Sequence, residues 1–359
     1  MNYVHFLQNL PGFWSHPKLT GIPGKIGTFI NKVVFPGSMR IYLPNSAFLG
    51  NIDPFLRTFD ISDPKRLEIT ANKKWISIHP VVLSMVAALG LEVGKSNVHC
   101  EKLEATSKHY FERIGLFKIL GIKSNIQITE HEPAGRFIPL TQIKNSNELT
   151  RFITEMIPLL HLEQKQAEPI RYVVSELVRN VLEHAQSDFG AILSAQYYKK
   201  SNTIRIGIAD TGVGIKKTIN QSYNAPTHLE AIKLALTPGI TGTTRREGGT
   251  EFNAGAGLFF IKSIAKVNRD FFMIYSGNAM YKLLKSKLGE EHMRLYADPF
   301  KDRHSNGENF PHWNGTVVGI DISLDATREF SILLELLRKT YIKTIRERKK
   351  AKYRRPRFI

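Results

Sequence analysis

Polar side chains recur at four-residue spacing near the middle of the chain, at Glu176, Asn180 and His184. On an α-helix this spacing places all three on one flank. Such a row is typical of a helix that presents polar groups to a ligand lying between it and its neighbours. A solvated helix face predicts the same pattern, because carboxylate and amide side chains are mostly exposed.

Two glycine-containing segments add to this row. An apolar strand, residues 204–209, runs into Asp210, and Gly212 and Gly214 follow it. Glycine permits tight turning and close approach of the backbone to a ligand, although an ordinary loop can have the same composition.

The second glycine segment leads into a helix at Gly255 and Gly257, with Lys262 in the second helical turn. The exposed amides at a helix N-terminus favour a phosphate, and the lysine would add positive charge. Together, the segments predict a site for a ligand that carries phosphate.

Regular elements must position these residues. An apolar stripe at 3.6-residue spacing predicts a helix over 168–184. The patterns around it predict strands over 191–198, 203–209, 271–275 and 316–322, and helices over 148–161 and 257–267. Nearer the N-terminus they predict strands at 66–71 and 97–100 and helices at 80–91 and 107–114.

The segments ELVRNVLEH (176–184), DTGVGI (210–215), NAGAGLFFIK (253–262) and GT (315–316) resemble, in order and spacing, the four nucleotide-binding motifs of the GHKL ATPases. That superfamily includes gyrase, heat-shock chaperone, histidine-kinase and MutL-type nucleotide-binding domains. The resemblance covers residues 151–325. It implies the GHKL (Bergerat) α/β sandwich, with helices on one face of a mixed sheet, and ATP and Mg²⁺ as ligands.

The resemblance also implies a role for each residue of the helical row. Glu176 would orient or deprotonate the attacking water or hydroxyl. Asn180 would ligate Mg²⁺ through its amide oxygen, since magnesium takes its other ligands from waters and phosphates. His184 would touch phosphate, with a structural histidine at the helix end as the alternative. The phosphates would be held by Gly255, Gly257 and Lys262.

The adenine end follows from the same resemblance. Asp210 would accept a hydrogen bond from the adenine amino group, and Thr316 would hydrogen-bond near Asp210. Gly212 and Gly214 would let the backbone pass close to the base. Residues 216–254 would form a lid, from which Arg245 or Arg246 would reach the terminal phosphate on closure. The alternative for these arginines is a solvated surface loop.

Within the superfamily, the chain resembles the compact anti-sigma-factor type or a stand-alone ATPase. His161 lies too close to Glu176 for the phosphoacceptor of a sensor kinase. The 43 residues after the last motif are too few for a transducer domain, so we expect none. Residues 67–93 and 108–122 resemble a divergent, smaller STAS-like α/β domain. The stretch Ser77-Ile78-His79-Pro80 lacks the acid and the glycine of the STAS phosphorylation site, which favours a structural adaptor over phosphorylation of Ser77.

The charge is concentrated at the C-terminus. The net charge is +18, and the last 22 residues, 338–359, contain 11 Lys or Arg and one acid, a net charge of +10. Apolar residues at three- and four-residue spacing predict that this tail begins as a helix near Phe330. Such a tail can bind nucleic acid through salt-dependent phosphate contacts, or be a solubilising, partly disordered end.

Other classes are excluded or disfavoured by the sequence. A single cysteine, Cys100, excludes an intramolecular disulfide and a thiolate zinc site. The longest mostly apolar stretch has 13 residues, and a membrane span needs about 20. We expect a cytoplasmic protein without a membrane span. The expected domains are an irregular leader (1–45), a STAS-like domain (46–130), a linker (131–150), the ATP-binding domain (151–325) and the basic helix and tail (326–359).

Three functions remain open from the sequence. The first is a regulatory switch that transfers phosphate from ATP to a protein partner, as an anti-sigma-like Ser/Thr kinase. The second is an ATPase whose lid closure controls a protein or nucleic-acid partner. The third is a nucleic-acid-binding module that ATP gates through residues 338–359. A homodimer is compatible with each of them.

Overall fold

The fold is described by a computed structural model. It describes residues 38–58, 65–73, 76–101, 108–124, 137–242, 256–286, 295–325 and 330–352. All of these residues lie in one compact unit, residues 36–359.

Within the described residues the chain forms strands and helices in an α/β arrangement. The strands are β1 (Ser38–Leu43), β2 (Ser46–Ala47), β3 (Arg66–Ala71), β4 (Ser77–Ile78), β5 (Val98–Cys100), β6 (Phe137–Ile143), β7 (Ala191–Tyr198), β8 (Thr203–Ala209), β9 (Phe272–Gly277), β10 (Ala279–Leu283), β11 (His304–Gly307) and β12 (Trp313–Ser323). The α-helices are α1 (Asp53–Leu56), α2 (Pro80–Val93), α3 (Lys108–Arg113), α4 (Leu116–Leu120), α5 (Ser146–Arg151), α6 (Gln164–Asn180), α7 (Gly214–Ile219), α8 (His228–Ala235), α9 (Gly257–Val267) and α10 (Phe330–Lys352).

The central sheet has seven strands in the order β11-β10-β9-β12-β8-β7-β6, and neighbouring strands pair antiparallel. A smaller sheet, β1-β3-β5, is parallel, as is the short pair β2-β4. The protein therefore contains both kinds of strand pairing, as the mixed α/β class predicts, but in different sheets.

Helices α6, α9 and α10 belong to the core on one face of the central sheet. The stripe predicted on α6 is buried at Ile170, Val173, Val174, Leu177 and Val178. It shares one apolar cluster with the buried side chains of α9 and with sheet residues that include Ile206, Ile208 and Ile320. Burial of this stripe orients α6, so that the flank with Glu176 and Asn180 faces the space beside the sheet.

Helix α2 covers the other face of the sheet and packs against β7, β8 and β12. A side chain at Gly207 of β8 would collide with the backbone at Val81, so this glycine permits the close approach. The Ser84 hydroxyl donates to the Gly207 carbonyl at 3.0 Å. The buried His79 ring contacts Asp321 of β12, with 3.1 Å between Nε2 and Oδ1.

The expectation of helices on one face is therefore corrected: helices cover both faces. The physical reason is that the central strands are apolar on both sides. Ala191, Ile192 and Leu193 are consecutive in β7 and fully buried, so each face of the strand needs a cover. The segment that resembled a separate STAS-like domain supplies the second cover, and the STAS resemblance itself stays a prediction.

Several predicted elements match within a few residues, and three segments differ. The end of the predicted leader forms β1, and most of that leader lies outside the described residues. The predicted linker contains β6 and α5. The first part of the predicted lid forms α7 and α8, where the buried side chains of Ile219 and Ile232 join the core. The remaining domain boundaries stay predictions.

Among the residues that the structure describes, every helix is too short or too polar to cross a bilayer.

Candidate functional site

A cavity of about 540 Å³ lies beside the central sheet, in the volume range of small-molecule and cofactor sites. Its walls come from the C-terminal half of α6, the loop after β8, the N-terminus of α9 and the start of β12. The structure brings together seven of the predicted site residues as cavity-lining residues: Glu176, Asn180, His184, Asp210, Gly214, Gly257 and Thr316.

The polar row on α6 forms one wall. Burial raises the pKa of the Glu176 carboxyl, Arg179 lowers it, and Glu183 raises it further. The side-chain nitrogen of Asn180 is buried and has no hydrogen-bond partner among the described residues. His184 follows one turn later, and its Nε2 lies 3.9 Å from Oε2 of Glu183. A buried amide without a partner at a cavity wall is typical of a group that meets a ligand.

A π-helical turn at Val181–Ala185 continues α6 and ties it to the loop after β8. The carbonyl of Ala185 accepts a hydrogen bond from the amide of Val213 at 2.7 Å. A side chain at Gly212 would collide with the same carbonyl. Single π turns inside helices occur often at functional sites. Here the turn holds the loop of Asp210 against the helix of Asn180.

Asp210 lies at the other end of the cavity and is 1% exposed. One carboxylate oxygen accepts from the Gly212 amide at 2.8 Å, and the other accepts from the Thr316 amide at 3.2 Å. The indole of Trp313 donates to the backbone carbonyl of Asp210 at 2.9 Å. Burial raises the pKa of Asp210 to about 7, although the two amides lower it.

The turn before Thr316 fits against Asp210. Gly315 has a φ of +97°, and a side chain there would lie within 2.5 Å of the Asp210 carboxylate oxygen Oδ1. The hydroxyl of Ser276 accepts from the Ile215 amide at 3.0 Å and donates to the Gly315 carbonyl at 2.6 Å. Ser276 thereby links the two loops that surround the carboxylate.

The N-terminus of α9 faces the polar row of α6. A Cβ at Gly257 would lie 2.6 Å from Oε2 of Glu176 and 3.9 Å from the side-chain nitrogen of Asn180. The free amides of an eleven-residue helix therefore meet a carboxylate and an unpartnered amide at one end of the cavity. Partial positive charge at this helix end suits phosphate oxygens.

The structure does not bring Lys262 to the cavity, which corrects its predicted contact with phosphate. Lys262 is fully buried on α9, and its ammonium group pairs with the buried carboxylate of Asp302. Lys266, one turn later, pairs with the same carboxylate. Burial lowers the pKa of Lys262, and Asp302 raises it. The reason is helical phase: the side chain of Lys262 leaves α9 on the flank that meets Asp302, in the segment just before β11.

The remaining predicted residues divide into two groups. Gly212 is not a lining residue, and its amide positions Asp210 instead. Gly255, Arg245 and Arg246 lie outside the described residues.

Comparison with known proteins supports the resemblance. Residues 141–268 match the family model of the histidine kinase-like ATPase domain. This ATPase-domain match contains the polar row, Asp210 and the N-terminus of α9, and it ends before Thr316. This match to a histidine kinase-like ATPase domain supports ATP binding by the chain. A search of curated proteins found no match for the chain.

Sequence reasoning missed three residues of the site. Trp313 and Ser276 hold the loops around Asp210, and their side-chain contacts have no signature in spacing. Arg338 of α10 also lines the cavity, more than 120 positions beyond the first two motifs. The stripe on α10 predicts which side of that helix is buried, but no pattern predicts that the helix returns to α6.

Proposed function

We propose that the protein binds Mg²⁺-ATP in the cavity and acts as a regulatory switch that transfers the terminal phosphate to a protein partner. The observation that carries the proposal is the arrangement of the two cavity ends. A buried carboxylate with two backbone donors lies at one end, and Glu176, Asn180 and the N-terminus of α9 meet at the other.

The Asp210 end suits adenine. Each carboxylate oxygen already accepts one backbone amide, so the carboxylate can accept a further donor through its remaining lone pairs. The adenine amino group is such a donor. A purine with a carbonyl oxygen at this position would place an acceptor against the carboxylate, which supports selectivity for adenine over guanine.

The other end suits the phosphates and a magnesium ion. Asn180 is the residue that would hold the ion through its amide oxygen, because its side chain lines the cavity beside the N-terminus of α9. In that part of the chain no group of three or more His, Cys, Asp or Glu side chains forms a metal cluster. The site therefore suits an ion whose other ligands are phosphate oxygens and water. A bound magnesium ion would neutralise phosphate charge.

Glu176 is the proposed general base. Its raised pKa, caused mainly by burial, brings a carboxylate closer to the range in which it accepts a proton efficiently. The partner's hydroxyl oxygen would form a bond to the terminal phosphorus as the bond to the bridging oxygen breaks. Glu176 would take the hydroxyl proton, and ADP would leave.

A stand-alone ATPase, with water in place of the hydroxyl, is the second candidate. One contact favours coupling between the lid region and the rest of the molecule. Arg348 of α10 donates to the carbonyl of Pro238, four residues before the end of the described part of the lid. A change in the lid on nucleotide binding would therefore reach the basic helix and any partner that binds it.

The test uses ATP labelled at its terminal phosphate, with the wild type and Glu176→Gln, in the presence of cell extract. Phosphotransfer is supported if the wild type produces a labelled protein and Glu176→Gln does not. Label released as phosphate, with none on protein, supports the ATPase. A Glu176→Gln variant that binds ATP and is as active as the wild type would refute the role of Glu176. The cytoplasmic location, the nucleic-acid contact of residues 338–359 and a homodimer stay predictions.

A further inference from the structure

Helix α10 is anchored beside the cavity by contacts on both sides of Arg338. Leu333 and Leu337 are buried in the core that contains α6 and α9. The ring of Phe330 meets Tyr172 of α6 with 5.8 Å between ring centroids, and Tyr341 meets Phe260 of α9 at 5.9 Å. These contacts set the rotation of the helix, so the position of residue 338 relative to the cavity is defined.

Arg338 lines the cavity at the end where Glu176 lies. Tyr172, which also lines the cavity, precedes Glu176 by one helical turn on α6. Burial raises the pKa of the Tyr172 hydroxyl, the charge of Glu176 raises it further, and the charge of Arg338 lowers it. The guanidinium and the carboxylate therefore lie around the same phenol, near the start of α9.

The charge of Arg338 has no acidic partner within ion-pair distance in the described part of the chain, whereas the next residue, Lys339, pairs with Glu335 at 2.8 Å. The other arginine that lines the cavity, Arg179, faces Glu176 with 3.8 Å between Nη1 and Oε1. Lys262 is committed to Asp302. Among the described arginines that line the cavity, Arg338 is therefore the one that forms no ion pair with a carboxylate.

We infer that Arg338 binds the terminal phosphate of the nucleotide, so that the C-terminal helix completes the site. The inference rests on the proposed binding of ATP. A planar guanidinium forms paired hydrogen bonds with phosphate oxygens, which suits this position better than an ammonium group would. Because ADP lacks the terminal phosphate, Arg338 distinguishes the two nucleotides. It also couples the nucleotide state to the position of the basic helix.

The experiment is calorimetric titration with Mg²⁺ and either ADP or a non-hydrolysable ATP analogue, at one salt concentration. The proteins are the wild type, Arg338→Gln, Arg338→Lys and the matched control Arg346→Gln. Arg346 is exposed on the same helix, is not a lining residue and gives the same change in charge. Circular dichroism checks that each variant is folded, and an exposed position such as 338 tolerates substitution.

We expect Arg338→Gln to bind the ATP analogue about tenfold more weakly, which is about 1.4 kcal/mol, and to bind ADP as the wild type does. Arg338→Lys should recover part of the loss, and Arg346→Gln should bind both nucleotides normally. Equal affinity of Arg338→Gln and wild type for the analogue overturns the inference, as does an equal loss for ADP and the analogue. A wild type that binds neither nucleotide refutes the proposed function itself.

Discussion

The raised pKa of Asp210 predicts that adenine binding depends on pH. In the folded protein burial raises the pKa of the carboxyl to about 7, because the effect of burial outweighs that of its two amide contacts. The adenine amino group would be a third donor to a carboxylate whose oxygens already accept from Gly212 and Thr316. Three donors favour the ionised form, so only the ionised protein binds well.

The magnitude follows from the fraction ionised. With a pKa of about 7, about 90% of the carboxyl is ionised at about pH 8 and about 10% at about pH 6, so affinity should fall about tenfold between them. Adenosine is the best ligand for this measurement, because it has no phosphate to titrate. Binding at low pH should also release a proton, which calorimetry detects as a dependence of the heat on the buffer.

Two variants assign the effect. Glu176→Gln removes the other cavity carboxyl with a raised pKa and should keep the full pH dependence. Asp210→Asn should bind weakly at every pH, because its amide nitrogen would face a backbone donor. An adenosine affinity that stays constant or rises on acidification would refute the reasoning.

The pH dependence that Asp210 gives to folding stability is opposite in sign to that of a salt-bridged carboxylate. The folded pKa of about 7 lies above the ordinary value of 3.8, so the folded state binds the proton more tightly than the unfolded state does. The contribution of Asp210 to stability is therefore complete below about pH 4 and is lost as the pH rises through about 7. Urea unfolding of the wild type, with Asp210→Asn as reference, measures this loss.

Two further predictions concern packing around the site. Lys262→Met should lower the free energy of unfolding by about 1–3 kcal/mol. The loss is smaller than for an uncompensated buried charge, because Lys266 still pairs with Asp302. ATP affinity should stay unchanged, and a selective loss of ATP binding would restore the predicted phosphate contact. Gly207→Ala should lower the free energy of unfolding in urea by about 1–3 kcal/mol or more, because the methyl group would collide with the backbone of α2 at Val81. A variant as stable as the wild type would show that α2 does not pack there in solution.

Local periodicity predicted much of the fold. Helix α9 and strands β3, β7 and β8 have the predicted bounds, because each has an unbroken apolar pattern and ends at a glycine, a turn or a polar residue. Strand β6 was missed because it lies at the sheet edge and contains Pro139, a residue that argues against a central strand. Helices α7 and α8 were missed because their glycine and threonine neighbours resemble loop.

The candidate site was predictable where residues that are close in sequence are also close in space. Glu176, Asn180 and His184 share a helix, and Asp210 and Gly214 share a loop, so their proximity follows from local structure. Lys262 was assigned to phosphate because it lies in the second turn of a helix that follows a glycine segment, but the direction of its side chain depends on where Asp302 lies in the folded chain. Arg338 was missed for the same reason, since its place depends on how α10 packs against α6.

The position of α2 on the sheet has a practical consequence for truncation. The family match begins at residue 141, inside β6, and ends before β9 to β12. A fragment cut at these limits would lose strands of the central sheet. Even a fragment from residue 137 onward would expose Ile192, Ala209, Met273 and Val317, which are now buried against the N-terminal segment. Such an apolar surface favours aggregation, so a fragment for expression should retain β1 to α4.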